Sequence, residues 1–365
     1  MPKVNVYTTS YRTIQETIDE IFASFQVDVR GKRVLIKPNA LSEREPEMAA
    51  NTHPSIIRAV VNAVKEAGAA ETMVADNPGQ ANYGTMRSLF ATNGLGEAAG
   101  DSLRNFGINL TERQIPSLPD VGLYFPELLF EADYIINMPK LKVHPNTGLT
   151  ASIKNCFGYL AGAQKAFCHE AAENRRHFEM ILADIYRLRK PDLNIVDAIL
   201  IAEGRAKGGT NLRYLGKVLA STSAPAADVL GATILGLDPT NLYHLTYVAE
   251  DEGIPLDAEQ LDVYGEWQII PDILKPFGFN PGETRSTKSS SPGLLESATQ
   301  KKFILDHDAC TSCGVCVEEC PTGALSMGAD NYPTSNEDKC VACFACMEVC
   351  EPAAIRLESL CPANG

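Results

Sequence analysis

Short apolar runs alternate with longer segments of helical period through residues 1–285. Arg33-Val34-Leu35-Ile36, Thr72-Met73-Val74-Ala75, Asp133 to Ile136, Leu193 to Ile201 and Lys217-Val218-Leu219-Ala220 read as strands. Between them, Pro54 to Gly68 reads as a helix. Its Ile57, Val60, Val61 and Val64 share one face, and Gly68 suits a helix end. Ala226 to Leu237 reads as another helix, and Met86 to Ala91 is helix-like. Strands alternating with helices of this length predict an α/β fold, a mostly parallel sheet layered with helices. Gly94-Leu-Gly96-Glu-Ala-Ala-Gly100 nearly matches a dinucleotide fingerprint, but it follows a helix-like stretch and reads as a turn.

The alternation stops at Pro281 to Gly293, which is rich in Gly, Ser, Thr and Pro and reads as a linker. Beyond it the cysteines gather. Eight of the 11 fall between Cys310 and Cys350, as two copies of one pattern offset by 30 positions. Cys310-x2-Cys313-x2-Cys316-x3-Cys320 is matched by Cys340-x2-Cys343-x2-Cys346-x3-Cys350, and each copy runs on into a small apolar strand. Three cysteines at this spacing converge on one cubane, and the fourth turns away to the other. One [4Fe–4S] cluster is therefore expected on Cys310, Cys313, Cys316 and Cys350. A second is expected on Cys340, Cys343, Cys346 and Cys320. Pro321 fits the Cys-Pro ending of such runs, whereas Glu351 stands in its place in the second copy. The double motif resembles the bacterial two-[4Fe–4S] ferredoxins over about 60 residues. The expected organisation is an α/β domain over 1–285, a linker over 286–300, and a small C-terminal α+β ferredoxin-like two-cluster domain over 301–365.

The charge is −14 over 365 residues, and no Lys/Arg-rich run appears, which excludes a phosphate-backbone partner. Residues 301–365 hold 4 Lys/Arg against 10 Asp/Glu, a net of −6. No apolar run reaches the ~18 residues that a membrane span needs. Pro2 and Lys3 lead into mixed polar sequence without an apolar leader. With cysteines grouped for metal rather than disulfides, this places the chain in a reducing cytoplasm, in an organism that spends time without oxygen. Cys156 and Cys168 read as buried thiols, and Cys361 as a free thiol in the tail.

The polar residues of the large lobe sit at strand ends. Lys37-Pro38-Asn39, Asp76-Asn77-Pro78-Gly79, Asn137-Met138-Pro139-Lys140 and Glu203-Gly204 each follow an apolar run. Ligand crevices in open α/β sheets lie beyond such ends. The stretch Lys140 to Asn155 adds Lys142, His144, Lys154 and several hydroxyls to an otherwise acidic chain. Lysines aimed at one point favour a carboxylate, a phosphate or a developing oxyanion. Gly148 to Ser152 is expected to offer amides at a helix start. The bland alternative is a solvated basic loop. His169, near Lys165, is a candidate proton donor. There is no G-x4-G-K-[ST] loop, which argues against P-loop chemistry.

Val34-Leu-Ile-Lys-Pro-Asn39, Thr52-His-Pro54, Asp76-Asn-Pro-Gly79, Ile135 to Lys142, Thr147-Gly-Leu-Thr150 and Lys154-Asn155 together resemble the family catalogued as domain of unknown function 362. Lys165 with His169, Asp197 and Glu203-Gly204 extend the likeness over roughly residues 30–250. Members often carry a ferredoxin module at one end. The resemblance implies one shared site at the strand ends and supplies no activity.

The reading that follows is an iron–sulfur oxidoreductase. Electrons from a redox partner protein would pass through both clusters to a small anionic substrate, or to an organic cofactor, in the lobe. Lys37, Lys140, Lys142 and Lys154 are the binding candidates, Asp76 and His169 would handle protons, and His144 is a further catalytic candidate. That reading requires a lobe site facing one cluster. An electron carrier with no substrate of its own requires an exposed second cluster instead. A third alternative is a transferase or maturation factor with structural clusters.

Overall fold

The computed structural model describes residues 2–79, 82–204, 211–275, 279–280 and 301–359. The expected linker and Cys361 lie outside the described residues. The strands of the large lobe are β1 (Lys3–Thr8), β2 (Arg33–Pro38), β3 (Glu71–Val74), β4 (Leu110–Ile115), β5 (Leu118–Pro126), β6 (Tyr134–Met138), β7 (Lys140–His144), β8 (Gly148–Thr150), β9 (Leu193–Ala202), β10 (Leu212–Ser221) and β11 (Asp262–Tyr264). Nine of them form one sheet of order β11-β1-β10-β9-β6-β2-β3, with β7 paired to β8 and β9 off that path. β2 runs parallel to β3 and β6, and β9 runs parallel to β6 and β7. β10 is antiparallel to both β9 and β1. β4 and β5 form a separate hairpin.

The helices are α1 (Ile14–Ser24), α2 (Pro54–Glu66), α3 (Met86–Thr92), α4 (Leu95–Ala99), α5 (Glu127–Glu131), α6 (Ser152–Asn155), α7 (Gln164–Ala171), α8 (Arg175–Leu188), α9 (Ala224–Ile234) and α10 (Tyr243–Glu252). The apolar stripe of α2 is buried as its spacing predicts, with Ile57, Val60, Val61 and Val64 all closed to solvent. Each such side chain contributes about 1.5–3 kcal/mol of burial. β2 and β9 are buried along nearly their whole length, as strands covered on both faces must be. Gly94 to Gly100 forms the short helix α4 rather than an open turn, because Leu95, Ala98 and Ala99 are apolar enough to bury. No helix among the described residues is long and apolar enough to cross a membrane.

In the module, β12 (Lys301–Leu305) pairs with β15 (Ile355–Ser359), and β13 (Leu325–Met327) pairs with β14 (Pro333–Ser335). Short helices Val315–Glu318 and Ala345–Glu348 each start inside a cysteine run.

Candidate functional site

The sheet register decides which strand ends meet. β2, β3 and β6 are neighbours in step, so Lys37, Asp76 and Asn137 converge. β9 starts where β6 stops, with Ile136 opposite Leu193 and Asn137 opposite Asn194. Asn194 therefore joins the convergent ends. Glu203, nine residues further on, lies roughly 30 Å along the strand at ~3.3 Å per residue. There its carboxylate holds Arg213 at 3.2 Å. The expected fourth strand end is thus not part of the group, because hydrophobic pattern carries no information on stagger.

Lys37 is fully buried, and its Nζ lies 2.6 Å from Asp76 Oδ1. Asp76 Oδ2 accepts from Ala40 N at 2.8 Å. Burial lifts the Asp76 carboxyl above the usual range, while Lys37 and Lys165 pull it back. Gly158 covers the pair so closely that a Cβ there would sit 2.2 Å from Asp76 Oδ1 and 2.6 Å from Lys37 Nζ. An amide chain continues the floor. Asn155 donates to Pro38 O and to Asn137 Oδ1, and Asn137 donates to Asn194 Oδ1 and Ser152 O.

The stretch Lys140 to Asn155 is neither a solvated loop nor an anion-binding helix start. Lys140 to His144 alternates lysine with Leu141 and Val143 and forms β7 inside the sheet. Gly148–Thr150 is the short strand β8. The amides of Ser152 and Ile153 are both taken by the buried Asp228 carboxylate, at 2.7 and 2.9 Å, so they are closed to an outside anion. Lys140 is buried against Asp197 at 2.7 Å, and Tyr11 OH lies 2.9 Å from its Nζ. His53 stacks on Tyr11 with centroids 3.6 Å apart and gives its backbone N–H to Asp197. His144 Nδ1 accepts from Asn146 N and Thr147 N and so closes the β7–β8 turn. His169 stacks on Phe178 at 4.0 Å, within an aromatic layer that includes Phe157.

Near the strand ends, Lys142, Lys154 and Lys165 have no carboxylate within ion-pair distance among the described residues. Lys142 gives its Nζ to Ala50 O alone. Lys165, on α7, gives its Nζ to Asn77 O and Pro78 O, beside the Lys37–Asp76 pair. Lys154 is half-buried. Burial, with Lys154 and Lys140 nearby, pushes Lys142 down to about 7. Burial likewise brings Lys165 to about 7 and Lys154 to about 8. The hydroxyl of Thr150 is buried without a partner among the described residues, while Ser152 sits against the Asp228 carboxylate. Cross-strand register sets Thr150 opposite Lys142. Lysines without a paired carboxylate, with the unpartnered Thr150 hydroxyl opposite Lys142, suit an anion.

The sign of the pH dependence follows. These lysines titrate at about 7 to 8 in the fold and near the ordinary 10.5 when unfolded. Between those limits the unfolded chain binds more protons, so the ligand-free protein gains stability as pH rises from about 7 towards 10. Anion affinity runs the other way and falls above pH 8 as the lysines lose charge. Urea unfolding at pH 7 and 9, with and without Lys165→Met, checks this, because the substitution removes part of the rise.

The module presents two cavities. One is lined by Cys310, Cys313, Cys316 and Cys350. The other is lined by Cys320, Cys340, Cys343 and Cys346. These are the crossed quartets of the sequence reading. Among the described residues no three His, Cys, Asp or Glu side chains converge on a single ion. The cysteines ring a volume, which suits a cubane. The backbone follows the same two-fold repeat. Ser312 and Ala342, Gly314 and Phe344, and Gly323 and Ala353 all take positive φ, at positions 30 apart. Ala324 N donates to Cys320 Sγ, and Ala354 N to Cys350 Sγ, each at 3.2 Å. Such N–H···S bonds help set a cluster's potential. At the position that matches Gly314 the second copy carries Phe344.

Phe344 explains how the module meets the lobe. A bulky residue at φ +66° is strained. Its ring packs with Tyr83, Ala163 and Ala166. Beside it Ala163 N donates to Ala342 O at 3.0 Å. Gly162 lies so near that a Cβ would meet Cys343 O at 2.5 Å. Glu348 accepts from Met86 N at 3.0 Å. Lys165 is two residues beyond the Ala163 contact, so one short segment touches both the second quartet's loop and the Lys37–Asp76 pair. Sequence reasoning missed Gly162, Tyr83 and Tyr11, for which no local signal exists. Cys156 and Cys168 are buried thiols, and burial raises both.

Residues 34–233 match the domain of unknown function 362, and residues 303–326 match a 4Fe-4S binding domain. The second match spans the first cysteine copy. A thylakoid-associated protein of Synechocystis sp. is 31% identical over 270 residues, covering 70% of this chain and 82% of that protein. A Thermotoga maritima protein solved by structural genomics is similar at TM-score 0.38 and 12% identity, over 70% of this chain and 60% of that one. The lactate racemase apoprotein of Thermoanaerobacterium thermosaccharolyticum gives TM-score 0.39 and 13% identity, over 62% and 55%. The chain spans less than two thirds of either solved protein's length.

Proposed function

The chain belongs to the domain of unknown function 362 family, and from its geometry we propose an iron–sulfur oxidoreductase that delivers electrons to a small anionic substrate or organic cofactor beside Lys142, Lys154 and Lys165. Two [4Fe–4S] clusters, one in each cysteine-lined cavity, would supply one-electron transfer. The chain's own residues do the rest. Lys142, Lys154 and Lys165 neutralise the anion, and the Thr150 hydroxyl orients it. Lys37–Asp76 holds the floor beneath Lys165. His169 and Asp76 remain the proton-handling candidates.

The observation that carries this reading is the junction at Gly162–Ala163. The second quartet is turned into the lobe, and the helix that receives it brings Lys165 to the strand ends. A carrier with no substrate of its own is the second reading. It draws on Lys37 and Lys140, which already have carboxylate partners and so serve as structural ions.

The test is anaerobic reoxidation of the reduced protein by a panel of small carboxylates and phosphates, followed by cluster absorbance. Lys165→Met should slow substrate-dependent reoxidation at least tenfold. Gly162→Val should slow it more, by pushing the Cys343 loop away, while both variants still accept electrons from dithionite. Equal reoxidation of wild type and variants across the panel would leave the carrier reading standing.

A further inference from the structure

The two cysteine copies have diverged in opposite directions. In the second copy Ala342 and Ala345 are closed to solvent, and Phe344 is pressed into the lobe. In the first copy the matching Ser312 and Gly314 are only half-buried. Cys313 is exposed, and Val315 is 39% exposed. A Cβ placed on Gly314 would meet nothing within 4 Å. One loop has become an internal plug, and its twin has been left bare.

We propose that the bare loop around Cys313, Gly314 and Val315 is the docking face for a basic one-electron protein, and that electrons cross between chain and partner there. That electrons enter the chain here rests on the oxidoreductase reading, but the docking face does not. Charge selects the partner. From Asp306 to Asp338 the sequence holds seven acidic residues and no Lys or Arg. Asp308, Glu318 and Glu351 flank the first quartet, are exposed, and make no ion pair among the described residues. Glu319, by contrast, accepts from Asn109 N at 3.0 Å, so its charge serves the junction with the lobe. An apolar, glycine-opened centre with an acidic rim fits a partner with an exposed redox edge ringed by lysines. Glycine at 314 lets that edge approach the loop backbone, where Phe344 forbids it in the twin.

Cytochrome c serves as the basic probe. Binding is read first with redox-silent zinc-substituted cytochrome c, by calorimetry on the full chain with its clusters in place. Affinity should fall at least tenfold from 20 to 200 mM salt, and at least tenfold in Asp308→Lys/Glu318→Lys/Glu351→Lys at low salt. Electron transfer is read second. One electron leaves a reduced cluster for each ferric haem turned ferrous, and this rate should fall in parallel. Reduction of neutral duroquinone should stay unchanged. Glu337→Lys/Asp338→Lys, beside the second copy, should weaken binding less than threefold. Salt-independent binding, or equal loss from both sets of reversals, would overturn the proposal. Failure of the lobe-substrate reading would show only in the Gly162→Val and Lys165→Met reoxidation rates.

Discussion

Asp76→Asn is expected to destabilise the large lobe by about 3–5 kcal/mol, the cost of leaving one partner of a buried ion pair uncompensated. The geometry makes the case severe. Lys37 is fully buried, its Nζ has Asp76 at 2.6 Å, and its remaining partner is Pro38 O. Gly158 closes the pair from above, so water cannot replace the lost carboxylate without moving backbone. Lys165 stands in the same field, and Asp76 is the nearby carboxylate that favours its charge. The amide would leave two cationic groups with no counter-ion. Lys37→Met alone strands the carboxylate and should cost a similar amount. The double variant Lys37→Met/Asp76→Leu removes both charges at once and should recover most of the loss, because well-packed apolar residues often replace a buried pair at little cost. Urea midpoints of the three variants check this. A double variant as unstable as the singles would mean that shape, not charge, governs the position. The pair sits on the parallel core strands, so a loss there should also disturb the Lys165 helix and the junction with the module.

Much of this arrangement was legible before any coordinates. The strands ending at Lys37, Asp76 and Asn137 announce themselves as apolar runs closed by polar residues and Pro or Gly. The crossed cysteine quartets follow from spacing alone. What failed to show did so for definite reasons. β7 has the period-2 alternation of a strand, but both its faces are buried, so Lys140 and Lys142 lie inside along with Leu141 and Val143. Lysine is rarely buried, so the same letters read as a wet loop. Asp197 and Asn194 within an otherwise apolar run were the available clue that partners for buried lysines lay nearby. Glu203 looked like a fourth member of the site because β9 is staggered past β6, and stagger is a property of pairing. Gly162 and Phe344 depend on two distant segments approaching within van der Waals contact, which no local pattern encodes.

That same repeat permits a decisive ligand test. If the quartets cross, Cys310→Ser/Cys350→Ser removes two ligands from one cavity and none from the other. Iron should fall to about half, from about eight atoms per chain to about four. Cys340, Cys343 and Cys346 should stay protected from anaerobic alkylation, and Cys313 and Cys316 should become reactive. Cys310→Ser/Cys320→Ser instead takes one ligand from each cavity, so both clusters should suffer and neither trio should stay protected. An uncrossed arrangement predicts the reverse pattern for the two variants, and peptide mapping by mass spectrometry separates them. The asymmetry of the module sharpens the expectation. The cavity of Cys340, Cys343 and Cys346 is braced by the lobe through Ala342, Phe344 and Glu348. The cavity of Cys310, Cys313 and Cys316 has solvent beside Cys313. Cys310→Ser/Cys350→Ser should therefore leave the lobe junction folded and the second cluster reducible by dithionite. It should also uncouple the chain from protein donors, since the cluster lost is the one that faces outward.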